Sequence, residues 1–187
     1  MFIQTEATPN PATLKFLPGQ SVMQAGSADF PQPTTADISP LAARIFAVDG
    51  VTGVFLGSDF VTVTKGEVDW AHIKPAVLGA IMEHFQSGQP VMASDASAAG
   101  GHAEHDGPDS EIVGQIKELL DTRVRPAVAQ DGGDITFHGF DKGVVYLTMQ
   151  GACAGCPSST LTLKHGIENL LRHYIPEVTE VRPVGGL

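Results

Sequence analysis

The chain has 187 residues, 42% of them hydrophobic and 17% charged, with a formal net charge of −10 and a pI near 4.9. That apolar content is enough to bury a core and excludes wholesale disorder, while the acidity argues against nucleic acid, which needs a basic face. No apolar run approaches the ~18 residues of a membrane helix, and two cysteines do not make a secreted disulfide framework.

The N-terminus, "MFIQTEATPNPATLKFLPG", lacks the basic start of a signal peptide and the Arg-rich composition of a transit peptide. It therefore reads as structure from Phe2 onward, in a chain made and used in a reducing compartment. Phe2–Glu6 and Thr13–Leu17 are predicted strands, separated by a turn at "TPNP". Ser39 caps a short helix through Ala47, with Pro40 at its first position. Gly50–Gly66 is a predicted hairpin turning near Gly57–Asp59. A second helix carries Trp70, Ile73, Val77, Ile81 and Phe85 on one stripe, with His72 and His84 at its boundary.

The composition then breaks. "ASDASAAGGHAEHDGP", residues 93–108, has no large apolar side chain and suits a flexible linker. It separates an N-terminal domain, 1–92, from a C-terminal one, 109–187, so that the fold class is α+β in two small domains. The second half opens on a helix with Ile112, Ile116, Leu119, Leu120 and Val124 on one side. "AQDGGD" (129–134) ends it, Gly132 and Gly133 serving a C-cap and turn. Strands follow at Ile135–Phe140 and Val144–Met149, with a turn at Asp141-Lys142-Gly143. After the cysteine stretch comes a helix with Leu163, Ile167, Leu170, Leu171 and Tyr174 facing one way, and Val178–Val184 adds a last strand. The order is α-β-β-(Cys loop)-α-β.

Both cysteines lie in "GACAGCPSS", residues 151–159. Pro157 suits the first position of a helix and makes Cys156 its N-cap, so both sulfurs are expected near free backbone N–H groups, where thiolate is favoured. A dithiol–disulfide couple fits this spacing, although a hairpin before the loop is not the βαβ context of thioredoxin-like proteins. Zinc wants four ligands, and neither a second Cys-x-x-Cys nor a His pair at finger spacing is present in one chain, which leaves a zinc site bridging two chains as the better zinc reading. An iron–sulfur cluster is usually held by four thiolates, and two protomers each giving Cys153 and Cys156 would supply them around a two-fold axis. Two inert structural cysteines are the plainest reading, but such residues rarely come paired in a Gly-rich loop.

"GACAGCPSSTLTLKHGIENLLRHYIPEV" (151–178) and "VRPAVAQDGGDI" (124–135) resemble the NifU C-terminal domain of Nfu-type iron–sulfur scaffold proteins. "FIQTEATPNPATLKFLPG", "DFVTVTK" and "GAIMEHF" resemble the Nfu N-terminal domain. The resemblance covers most of the chain except the linker. It implies a scaffold or carrier, not an enzyme, that binds a [4Fe–4S] cluster between two protomers and delivers it to apo-enzymes. The family's ligating pair falls on Cys153 and Cys156; Ala154 departs from the serine that members often carry. Two cysteines per chain could equally bridge a [2Fe–2S] unit. The implied partners are a second copy, upstream assembly proteins and client enzymes recruited by the N-terminal domain. The implied location is bacterial cytoplasm or, for a processed eukaryotic form, the mitochondrial matrix.

Other candidates read as structural. His102 and His105 belong to the linker, His165 and His173 to a helix surface, although His165 is close enough in sequence to hydrogen-bond a sulfide. Asp131 and Asp134, with no base or nucleophile in view, suit capping and turn roles. Trp70, Phe60 and Phe85 are expected in the core.

Overall fold

A computed structural model describes residues 2–93, 109–154 and 157–184, with the backbone alone for 157–159. The chain is α+β and divides into two compact units, residues 1–99 and 100–187.

In the first unit, β1 (Gln4–Ala7) and β2 (Thr13–Leu17) form a hairpin across the proline turn. Asn10 shapes that turn, its Oδ1 accepting the Ala12 N–H at 3.0 Å. β3 (Ala28–Phe30), a short edge strand, and a 3-10 turn (Pro33–Ile38) follow; neither was expected from the sequence. α1 (Pro40–Phe46) starts at Ser39, whose hydroxyl accepts the Ala42 N–H at 3.1 Å and donates to Val91 O at 2.6 Å. β4 (Val51–Leu56) and β5 (Val61–Lys65) make the expected hairpin, closed by Gly57 N–H to Phe60 O at 2.9 Å. The antiparallel sheet runs β1-β2-β5-β4-β3. α2 (Trp70–Ser87) buries Ile73, Val77 and Ile81 as its spacing predicts, and also His84, which the sequence placed at the boundary.

The second unit begins with α3 (Ser110–Leu119), a π-helical turn (Leu120–Val124) and α4 (Arg125–Gln130) in succession. Its buried stripe is Val113, Ile116, Leu120, Val124 and Val128; Ile112 and Leu119, expected on it, are only partly buried. Three successive steps of four residues would drift by about 40° each on an α-helix of 3.6 residues per turn. The wider π turn takes up part of that drift and keeps the stripe on the core.

β6 (Gly133–Asp141) and β7 (Val144–Gly151) pair through a two-residue turn in which Lys142 and Gly143 take φ of 50° and 84°. α5 (Pro157–Tyr174) crosses over to β8 (Glu180–Pro183), which lies parallel to β7, so the sheet runs β6-β7-β8. Gly143 O accepts the Thr179 N–H at 2.8 Å and the Thr179 hydroxyl at 3.1 Å, tying the hairpin turn to the approach of β8. Ile167 and Leu171 are buried as expected, but Tyr174 is 47% exposed and Ile175 takes the inward place. Tyr174 instead lies against the Arg123 guanidinium, 5.5 Å from its ring centroid. Among the described residues no helix is long and apolar enough to cross a membrane.

Candidate functional site: the cysteine turn

β7 ends at Gly151, whose φ of 65° turns the chain away from the sheet, and α5 begins at Pro157, as the proline predicts. Among the described residues, three hydrogen bonds shape the segment between them. Ala152 N–H donates to Gly132 O at 3.2 Å, Ala154 N–H to Gly151 O at 3.1 Å, and the Thr160 hydroxyl to Cys153 O at 3.2 Å. Cys153 is a free thiol, 6% exposed. Cys156 and Gly155 lie outside the described residues, as do His102 and His105.

The sulfur of Cys153 rests on the start of β6. A Cβ at Gly133 would fall 2.5 Å from Cys153 Sγ, 2.7 Å from Gln150 O and 3.0 Å from Cys153 N. Glycine is required there by close approach, whereas Gly132, at φ 79°, supplies the left-handed turn. The sequence reading gave both glycines to the turn and missed the floor that Gly133 makes for the sulfur. Burial, with the carboxylates of Asp131 and Asp134 adding to it, pushes the Cys153 thiol up to about 12. Burial thus works against the expectation that thiolate is favoured at Cys153.

Asp134 does more than turn the chain. Its carboxylate takes both prongs of the Arg125 guanidinium, Nε to Oδ1 and Nη2 to Oδ2, each at 2.9 Å, and Arg125 Nη1 reaches Asp121 Oδ1 at 3.0 Å. Asp134 Oδ1 also accepts the Ile135 N–H at 2.8 Å. These bonds and the two carboxylates raise the Arg125 pKa above its ordinary value. A sequence signal existed, an arginine nine residues before an aspartate across a glycine turn, but nothing in the pattern distinguished it from a surface pair.

The described residues contain no group of three or more His, Cys, Asp or Glu side chains able to hold a metal ion. His165 and His173 are exposed. Phe60 is buried, while Trp70 is half-buried and donates its indole N–H to Pro11 O at 3.3 Å. One ground for setting thiol redox chemistry aside also falls. The loop joins β7 to α5, and β7-α5-β8 is itself a βαβ unit, because the hairpin precedes a parallel crossover.

Two family models match the chain, "Scaffold protein Nfu/NifU N terminal" over residues 3–88 and "NifU-like domain" over 116–182. The human NFU1 iron-sulfur cluster scaffold homolog, mitochondrial, is 50% identical over 186 residues, covering 98% of this chain and 72% of that protein. The chain belongs to the Nfu family. Two Arabidopsis thaliana members, NifU-like proteins 4 and 5, mitochondrial, are 55% and 57% identical, each over 97% of this chain. This Nfu chain spans about two thirds of their length, 65% and 67%.

Proposed function

We propose that this chain is an iron–sulfur cluster scaffold or carrier with no turnover of its own. Cys153 and Cys156 hold the cargo, a [4Fe–4S] cluster bridged between two copies, which is passed on to apo-proteins. The observation that carries the reading is the donor count: the whole chain has two cysteines, in one Cys-x-x-Cys motif just ahead of the helix that starts at Pro157, and a cluster usually needs four. A second copy completes the shell, and a shell split between chains releases its cargo readily. Relatives whose names describe iron–sulfur cluster scaffolds support the reading, and the mitochondrial relatives favour the matrix over a bacterial cytoplasm. The N-terminal unit, residues 1–92 in the domain scheme proposed here, has no cysteine and would recruit clients across a linker at 93–108.

Anaerobic loading with iron and sulfide is expected to give a brown dimer with about four irons per pair of chains. Mössbauer spectra of that sample separate [4Fe–4S] from [2Fe–2S]. Cys153→Ala and Cys156→Ala should each abolish loading; a loaded single polypeptide would overturn the reading. The βαβ setting of the loop favours one competitor, a thiol–disulfide oxidoreductase. That enzyme would stay colourless and reduce disulfides catalytically.

A further inference from the structure

We infer that Arg125 is a positioning residue for Cys153, acting through Asp134 and the two glycines before it. The role concerns the cysteine taken above as a cluster ligand and so rests on that reading, although the geometry is a property of the chain alone.

Arg125 stands where the π turn gives way to α4. From there its planar fork meets the Asp134 carboxylate in the two-bond geometry that sets orientation as well as distance. The Asp134 side chain is only 9% exposed, so this pair is largely out of water and unlike an ordinary surface ion pair. The same carboxylate is held from the strand side by the Ile135 N–H. Asp134 is therefore gripped by helix and strand together, and the residue before it is Gly133, the floor under Cys153 Sγ. One residue earlier, the Gly132 carbonyl accepts the Ala152 N–H from the cysteine turn. The path runs from Arg125 to Asp134, along two peptide units, and across to Cys153 Sγ and the residue before it. Without the fork, a carboxylate buried beside the thiol loses its principal cation, and the strand start has to shift toward water to solvate it. That shift carries away the floor.

Residue-resolved amide exchange on the cluster-free full chain tests this. In Arg125→Gln the Ala152 amide should exchange about tenfold faster, as a local opening would allow. The amides of Ile175, bonded to Leu171 O, and Val184, bonded to Leu147 O, should keep their wild-type protection. Arg125→Lys retains the charge without the fork and should fall between the two. After anaerobic loading, the Gln variant should lose its visible chromophore to a chelator about tenfold faster than wild type, the same opening exposing the sulfur. Unchanged Ala152 protection in a folded Gln variant overturns the inference. So does an equal loss at Ala152, Ile175 and Val184, which would make Arg125 a general stabiliser. If the Gln variant does not fold, the Lys variant decides by the same comparison. A wild-type chain that never loads a cluster would remove the proposed function and leave the exchange result standing.

Discussion

At the scale of single residues, the first unit carries a buried histidine and a half-buried aspartate whose effects on stability run in opposite directions with pH. His84 is fully buried on α2, and Arg44 of α1 pairs with the neighbouring Glu83 at 2.8 Å. Burial first and the Arg44 charge second hold the His84 pKa below the ordinary 6.5. The unfolded chain therefore binds a proton that the folded one refuses, and stability falls as pH drops below 6.5. Thermal unfolding of the first unit should show this loss between pH 7.5 and 5.5, and His84→Leu should flatten it. Asp29 on β3 is raised to about 6 by burial. Here the folded state holds its proton more tightly, so the stabilisation is complete below the ordinary 3.8 and is lost as pH rises through about 6. Asp29→Asn should add about 2 kcal/mol at pH 7.5 and almost nothing at pH 3.5. The sequence did not reveal either group, because a histidine beside an apolar stripe and an aspartate between alanine and phenylalanine look like boundary residues until the neighbouring elements close over them. In the second unit, Gly133→Ala meets a sulfur and a backbone carbonyl and should cost about 1–3 kcal/mol, where Gly139→Ala, with nothing within 4 Å, should stay within about 0.5 kcal/mol. Chemical denaturation of the two variants side by side checks the contrast.

At the scale of elements, what could be read in the sequence was whatever a local rule controls. Ser39-Pro40 identified the start of α1 because the cap needs a hydroxyl and the first position tolerates proline. The same serine also bonds Val91 O, 52 residues away, which no local rule contains. Ser39→Ala removes both bonds and should destabilise the first unit by about 1–2 kcal/mol in urea, near the top of the range for a cap alone. The cysteine-loop helix was legible from Pro157, and the β6–β7 hairpin from alternation around Asp141-Lys142-Gly143. Three elements were not. β3 is three residues long and too short to alternate, the 3-10 turn follows Pro31 and begins at Pro33, and the π turn leaves a four-residue spacing that an α-helix also tolerates for one step. Tyr174 points outward because the inward seat passes to Ile175, just past the end of α5, whose N–H bonds Leu171 O at 2.7 Å.

At the scale of the molecule, the compositional break between the halves coincides with a division of the apolar interior. One cluster is built on Phe16, Phe30, Leu41, Ile45, Leu56, Val61 and Val77, and a second on Ile116, Leu120, Ile135, Phe137, Leu147 and Leu171. The two share no residue. Residues 1–93 and 109–187 made as separate chains should therefore each melt cooperatively by circular dichroism, and only the second should colour with iron and sulfide. The two cysteines of the proposed site were legible, but a sulfur lying on a glycine beside an arginine-held carboxylate was not, because that glycine and the sulfur are 20 residues apart and Arg125 reaches Asp134 across a turn.

The bonds from Gly143 to Thr179 have a consequence for how this half assembles. The strands that flank Gly143 are neighbours in sequence and can zip together within microseconds, before any distant segment arrives. Thr179 then meets a carbonyl whose direction that ribbon has already set, so the alignment of β8 on β7 is indexed at the hairpin's tip.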